Sequence, residues 1–279
     1  MDRYAVIGQP VAHSLSPNIH RLFAEQTDQD LTYDKLPAPV DGFAAAAEAF
    51  FASGGNGLNV TVPFKSVAAR WVDELDKVAS AAGAVNTIVT QSGRSRGYNT
   101  DGVGLTRDLC DNLGWEIGDK SLLVLGAGGA VRGIIRSLLS LQPRSLTLAN
   151  RTVETAQSLI AELRNLHSNV EVEFCALDAT DAGYDLVVNG TSAGLSGEGA
   201  LVVERTVQGA FCYDLVYSAQ AGVQTPFCAW ASDVGAAGVS DGLGMLVEQA
   251  AQAFYLWRGV RPETAPVIAE LRGRRSRRG

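Results

Sequence analysis

The sequence is poor in the residues that build metal clusters and disulfide frameworks. Four cysteines (Cys110, Cys175, Cys212, Cys228) and three histidines are scattered over 279 residues, with no C-x-x-C pair and no zinc-ligand spacing. Reduced, structural thiols are expected, and no metal site. Charge is also sparse, at 19% of residues, and 23 basic against 30 acidic side chains leave a net charge of −7. That balance offers no general attraction to nucleic acid or to an anionic membrane, so the ligands are expected to be small molecules. Met1-Asp2-Arg3-Tyr4 runs into a strand-like segment without a charged leader or long apolar stretch, from which a cytoplasmic location is expected. The longest apolar region, Leu122 to Leu141, carries Arg132, Arg136 and a glycine cluster, and reads as strand, turn and helix rather than as a membrane span. No internal repeat and no low-complexity linker is present, and the basic end Arg272–Gly279 is read as a solvated tail without an assigned function.

What the chain does contain is a 46% hydrophobic content, enough for a sizeable core divided between two domains. Short β-rich segments alternate with helical ones: strands at Tyr4–Gly8, Leu31–Leu36, Gly57–Thr61 and Ala84–Thr90, and helices from Asn18, through Phe43–Phe51 and after Lys65. This alternation predicts an α/β fold with mostly parallel strands. From Leu105 the pattern repeats in doubly wound form. Helix Leu105–Leu113 precedes strands Ser121–Leu125, Ser145–Asn150, Glu171–Phe174, Asp185–Asn189 and Phe211–Leu215, with helices reaching Leu139 and spanning Thr155–Leu166. The expected division is a first domain at 1–101, a Rossmann-type dinucleotide-binding domain at 102–239, and a C-terminal helical stretch at about 240–270 packing back on the first domain.

Gly126-Ala127-Gly128-Gly129-Ala130 follows an apolar strand and precedes a helix, where glycines permit a tight turn and a close approach of backbone N–H groups to a diphosphate. Val131 occupies the position of the usual third small residue, a departure expected to change helix-to-strand packing or to shift the diphosphate slightly. At the end of the next strand an enzyme reading a ribose 2′-hydroxyl carries Asp or Glu, whereas this chain has Asn150-Arg151-Thr152. A guanidinium there suits a 2′-phosphate and predicts NADP in preference to NAD.

Further polar clusters stand just beyond apolar strands, where α/β sheets place ligands. His13-Ser14-Leu15-Ser16-Pro17 offers two hydroxyls ahead of a helix, suited to a carboxylate, although Ser16 with Pro17 also reads as an ordinary helix cap. In Asn59-Val60-Thr61-Val62-Pro63-Phe64-Lys65 the polar residues alternate with apolar ones and share a side. Gly83-Ala84-Val85-Asn86-Thr87 and Tyr98-Asn99-Thr100-Asp101-Gly102 add amide and carboxylate groups able to orient hydroxyls. Taken singly, none is diagnostic: Asn and Asp beside Gly are usually turn residues, and a lone Lys is usually a solvated surface charge.

Their order and spacing resemble the shikimate dehydrogenase family across nearly the whole chain. The likeness continues through Val188-Asn189-Gly190-Thr191-Ser192-Ala193-Gly194-Leu195, Tyr213-Asp214-Leu215-Val216-Tyr217 and Asp241–Ala250. The resemblance implies NADP-dependent reduction of 3-dehydroshikimate to shikimate, in aromatic amino-acid (chorismate) biosynthesis, by a monomer or homodimer. It implies Lys65 and Asp101 as catalytic residues, and substrate contacts from Ser14, Ser16, Asn59, Thr61, Lys65, Asn86, Asp101, Tyr217 and Gln249. Cofactor contacts are implied at Gly126, Ala127, Gly128, Gly129, Ala130, Asn150, Arg151 and Thr152, and at Leu215 and Gly242 near the nicotinamide. Arg21, Val131 and Arg132 depart from the family pattern without touching the expected chemistry. Two other readings are a quinate/shikimate or aminoshikimate dehydrogenase paralogue, whose NAD-using form Arg151 argues against, and a catalytically silent ligand sensor, which the retained Lys65 and Asp101 argue against.

Overall fold

The computed structural model describes residues 1–163, 170–191, 202–218 and 223–276. The 192–195 part of the glycine-containing motif, the 164–166 end of the expected helix, positions 219–222 and the last three residues of the basic tail lie outside them. The chain divides into two compact units, Met1–Gly104 with Leu246–Leu271, and Leu105–Met245 with Arg272–Gly279. None of the described helices is long and apolar enough to cross a membrane.

In the first unit β1 (Asp2–Gly8), α1 (Ser16–Thr27), β2 (Leu31–Pro37), α2 (Phe43–Ala52), β3 (Gly55–Val60), α3 (Lys65–Trp71), β4 (Glu74–Leu75), α4 (Lys77–Ala82), β5 (Thr87–Gln91) and β6 (Arg94–Tyr98) follow in order, and α5 (Asp101–Arg107) leaves it. Its six strands are ordered β2-β1-β3-β5-β6-β4. β1 pairs in parallel with β2 and β3, and β4 with β6, so the sheet is mostly parallel as expected; β5 alone is reversed, antiparallel to both β3 and β6. The reversal comes from a hairpin whose two turn residues, Ser92 and Gly93, both have positive φ (52° and 77°), the geometry that matches the twist of paired strands. β6 escapes detection by hydrophobic alternation because its inward positions are Ser95 and Gly97. Gly97 is required there: a Cβ would lie 2.5 Å from a methyl group of Val85.

The second unit continues with β7 (Ser121–Leu125), α6 (Gly129–Ser140), β8 (Ser145–Ala149), α7 (Val153–Leu163), β9 (Glu171–Cys175), β10 (Leu186–Asn189), β11 (Phe211–Asp214), α8 (Pro226–Asp233) and β12 (Gly238–Asp241), after which come α9 (Leu243–Arg258) and α10 (Ala265–Ser276). Its sheet is ordered β12-β11-β10-β7-β8-β9 and all its pairings are parallel. That is the doubly wound order, with its reversal between β7 and β10. The expected helix Leu105–Leu113 starts earlier, at Asp101, and ends in a π turn at Asp108–Asn112. The turn brings the buried Asp108 carboxylate to the Tyr213 hydroxyl, 2.6 Å away, which in turn accepts a hydrogen bond from the Met245 backbone N–H. α8 and β12 fall in a stretch where the sequence pattern marks no element; Thr225 caps α8 by accepting from the Cys228 N–H, and Pro226 takes the first turn.

α1 buries Ile19, His20 and Phe23 on one face, each apolar side chain contributing about 1.5–3 kcal/mol. His20 stacks on Tyr33, with ring centroids 4.1 Å apart and planes 6° from parallel, and lies 5.4 Å from Trp257 of α9. Trp257 stacks on Tyr4 of β1, donates to the Ile88 carbonyl, and approaches Gly57 so closely that a Cβ there would sit 2.4 Å from its Nε1. Burial, opposed by Asn59, lowers the His20 imidazole to about 3 from an ordinary 6.5. Above pH 6.5 the ring is neutral in both folded and unfolded chains; below it only the unfolded chain gains the proton, so stability is lost as pH falls from 6.5 towards 3. Urea unfolding of wild type and His20→Phe across pH 4–7 is expected to diverge on acidification, the wild type losing up to about 1.4 kcal/mol more per pH unit. Parallel pH profiles would refute this.

Candidate active site

Lys65 opens α3 and Asp101 opens α5. A carboxylate at a helix N-terminus is favoured by the backbone dipoles, whereas an ammonium at one is not, so Lys65 needs a partner. Its Nζ lies 2.5 Å from Asp101 Oδ2, with the carboxylate side chain 7% exposed and the lysine 23%. The other carboxylate oxygen accepts from Asn86 Nδ2 at 2.8 Å. Asn86 precedes β5 and is itself held on all sides. Its Oδ1 accepts from the Thr100 N–H (2.9 Å) and the Thr87 hydroxyl (3.0 Å), and its Nδ2 also donates to Thr100 Oγ1 and, at 3.4 Å, to Gln249 Oε1 of α9. Asn99 bonds the Asp101 N–H and the Ala84 carbonyl, tying the carboxylate to the segment that carries Asn86.

The network extends across the sheet. Asn59 of β3 donates to the Asn86 carbonyl (3.1 Å) and to Thr87 Oγ1 (3.0 Å), and accepts from the Tyr33 hydroxyl at 2.7 Å. Burial pushes the Tyr33 phenol well up, opposed by the Ser16 hydroxyl, and Ser16 is bonded by Ser14 at 3.1 Å. α1 has no side-chain cap, so the Ser16 hydroxyl is not spent on capping and the simple cap reading fails. Eight of the nine residues expected to meet substrate lie in the first unit, and seven of these form one hydrogen-bonded chain with Tyr33 in it: Ser14, Ser16, Asn59, Asn86, Asp101, Lys65 and Gln249. Thr61 stands in the turn after β3, its N–H bonded to the Ile7 carbonyl. Tyr217 belongs to the second unit, past the end of β11. Nothing in the sequence singles out Tyr33, Thr87 and Thr100 for this network: a tyrosine or threonine in a strand, or just past one, looks the same whether it packs or braces a site.

In the second unit Gly126 ends β7 with φ +99°, a conformation that favours glycine, and its N–H bonds the Ala149 carbonyl. Gly128 caps α6 without a side-chain hydrogen bond, so the N–H groups of the first turn are left for another acceptor. A Cβ at Gly128 or Gly129 would meet no protein atom within 4 Å, so packing within the chain does not require glycine there, while a backbone lying against a diphosphate does. Val131 is fully buried, and its methyl group would lie 2.4 Å from a Cβ on Gly190. Gly190 thus provides the space that the departure at Val131 takes up. After β8, Asn150 Nδ2 braces the Thr152 carbonyl at 2.8 Å, and the exposed Arg151 takes part in no ion pair among the described residues. These features fit a dinucleotide with a 2′-phosphate. Leu215 and Gly242, which spacing alone does not select, are brought together: a Cβ on Gly242 would lie 2.5 Å from the Leu215 carbonyl oxygen.

A doubly wound unit with a glycine turn, preceded by a unit that carries a half-buried lysine–carboxylate pair, defines the class of dinucleotide-dependent oxidoreductases. Family models narrow it. The shikimate dehydrogenase substrate binding domain matches residues 6–88, shikimate / quinate 5-dehydrogenase matches 108–209, and the shikimate 5′-dehydrogenase C-terminal domain matches 242–272. The shikimate dehydrogenase (NADP(+)) of Alkalilimnicola ehrlichii is 52% identical over 97% of this chain and 98% of its own length. Among solved structures, an Ael1 enzyme from Pseudomonas putida shares 39% identity with a TM-score of 0.88, covering 97% of this chain and 98% of that one. Shikimate 5-dehydrogenase from Thermus thermophilus, solved with NADP(H) and shikimate, shares 31% identity with a TM-score of 0.84, covering 99% and 100%. The chain belongs to the shikimate dehydrogenase family.

The fit between Val131 and Gly190 is open to direct measurement. Gly190→Ala is expected to cost about 1–3 kcal/mol through overpacking, and Val131→Ala in the same chain to restore most of it. Chemical unfolding of the two single variants and the double variant reads this, and simple additivity of the two losses would refute it.

Proposed function

We propose that the chain catalyses the reversible NADPH-dependent reduction of 3-dehydroshikimate to shikimate, a step of aromatic amino-acid biosynthesis by way of chorismate. The observation that carries this reading is the Lys65–Asp101 contact at 2.5 Å, braced by Asn86 and Gln249 in a polar network that packing alone does not need. The family membership and the NADP-dependent relatives support it. The first unit supplies the substrate site and the second the dinucleotide site.

Ser14 and Ser16 hold the substrate carboxylate with their hydroxyls. Asn59, Thr61, Asn86 and Gln249 bond the ring hydroxyls, and Tyr217 adds a further substrate contact. Lys65 donates a proton to the ring carbonyl oxygen as charge develops on it, and takes that proton back in the oxidative direction. Asp101 aligns the Lys65 ammonium and accepts from the substrate hydroxyl, so the proton moves between fixed partners. When bound, the nicotinamide supplies or accepts the hydride. The backbone of Gly126, Ala127, Gly128, Gly129 and Ala130 holds the diphosphate at the α6 N-terminus. Arg151, with Asn150 and Thr152, holds the 2′-phosphate, and Leu215 and Gly242 lie against the nicotinamide.

Nicotinamide absorbance during shikimate oxidation, with NADP or NAD and with quinate in parallel, tests the reading. NADP-preferring shikimate turnover is expected, with Lys65→Ala lowering kcat roughly a hundredfold or more. Unchanged turnover in that variant removes Lys65 from the chemistry, and a preference for quinate reassigns the substrate. Arg151→Ala is expected to reduce the NADP-over-NAD ratio of kcat/KM about tenfold to a hundredfold, the worth of a charge-assisted phosphate contact. An unchanged ratio would place the 2′-phosphate elsewhere.

A further inference from the structure

The C-terminal edge of the second sheet carries polar side chains to which the reading above gives no task. Asn189, Asp214 and Asp241 are the last residues of β10, β11 and β12. Asp214 is 2% exposed, and its Oδ1 accepts from the Val216 N–H at 3.2 Å and from Asn189 Nδ2 at 3.1 Å. The Thr225 hydroxyl at the start of α8 bonds the same carboxyl group. On the other side Asp241 accepts from the Ser218 N–H through Oδ2 (3.2 Å) and from the Leu243 N–H through Oδ1 (3.3 Å). Backbone bonds complete the arrangement: Leu215 N–H to the Asn189 carbonyl at 2.9 Å, and Gly242 N–H to the Val216 carbonyl at 3.1 Å. The segment Leu215–Ser218 is therefore fixed by its neighbours at residues 215, 216 and 218.

A surface turn does not need this. A buried carboxylate carries a desolvation cost unless its acceptors are used, and here they are used on the backbone of one four-residue segment and on the side chains that flank it. That segment holds Leu215 and Tyr217, two residues assigned to nicotinamide and substrate, and residues that meet reacting groups must be held to within a fraction of an ångström.

We propose that Asp214 is a positioning residue, which sets Leu215 and Tyr217 for the reaction by holding the Val216 N–H and the Asn189 amide from inside the sheet edge, with Asp241 holding the far end of the same segment. The inference rests on the substrate and nicotinamide contacts assigned to Tyr217 and Leu215. Asparagine keeps an Oδ1 acceptor in the same place and can turn its amide to Thr225. Alanine leaves the Val216 and Asn189 groups without that acceptor.

The test uses the whole enzyme with shikimate and NADP. Asp214→Ala is expected to lower kcat/KM for shikimate at least tenfold while changing the NADP Kd, read from quenching of tryptophan fluorescence, by less than threefold. Asp214→Asn is expected to recover to within threefold of wild type. Tyr217→Phe, which is expected to lower kcat/KM in the wild type, is expected to add little in the Asp214→Ala chain, because Tyr217 is already displaced there. Where the alanine variant fails to fold, Asp214→Glu, which moves the acceptor by one methylene, is expected to show the same loss. Wild-type-like kcat/KM in Asp214→Ala, or in Asp214→Glu where the alanine variant does not fold, overturns the proposal, as does full additivity with Tyr217→Phe. A wild-type chain without shikimate turnover, or one indifferent to Tyr217→Phe, overturns instead the reading on which the proposal rests.

Discussion

Asn86 is a buried amide with every hydrogen-bonding position in use, and the first unit is organised around that constraint. Its backbone N–H bonds Tyr98 and its carbonyl receives Val60, which joins β3 to the β5–β6 hairpin. Its side chain receives Thr87 and Thr100 and donates towards Asp101 and Gln249. A side chain in this position cannot rotate without leaving several buried groups unpaired, at about 1–3 kcal/mol each. Lys65 and Asp101 consequently stand on a frame whose geometry is set by the sheet. The mixed pairing of that sheet has a purpose in this light: reversing β5 places the start of that strand, with Asn86 and Thr87, beside Asn59 on β3.

The second unit solves a different problem, that of bringing bare backbone to a ligand. Gly126 and Gly190 sit at the ends of β7 and β10, on either side of the point where the strand order reverses, and each keeps clear a space the other's surroundings would otherwise fill. Val131 replaces a small residue at the start of α6, and the fit is recovered across the reversal by Gly190 rather than within the motif. The side chains ending β10, β11 and β12 then do for the following loops what Asn86 does in the first unit, bonding backbone groups that have left the sheet.

Much of this is legible in the residues. Strands such as Ser121–Leu125 and Leu186–Asn189 are near-continuous apolar runs, because a doubly wound sheet is covered on both faces, and the glycine turn stands between such a run and a helix. Lys65 and Asp101, both implied by the family likeness, lie 2.5 Å apart. β6 and β12 escape a reading of the sequence for a physical reason. Their inward positions hold Ser95, Gly97 and Ser240, small residues selected by what presses on them from other elements, so no hydrophobic period marks them. Tyr33 escapes it because a strand tyrosine carries no local sign of where its hydroxyl points.

The sequence by itself determined the α/β class, the site of the dinucleotide turn, the arginine after β8 and the set of polar residues available for chemistry, since each depends on local spacing and residue type. The tertiary structure alone decided which of those residues share hydrogen bonds and which glycine compensates Val131. It also decided how β5 is oriented and which buried carboxylate holds the Leu215–Tyr217 segment. Many of those are relations between distant positions, up to 163 residues apart in the chain, and the energies that choose among them, of packing and buried hydrogen bonds, exist only once the chain has folded.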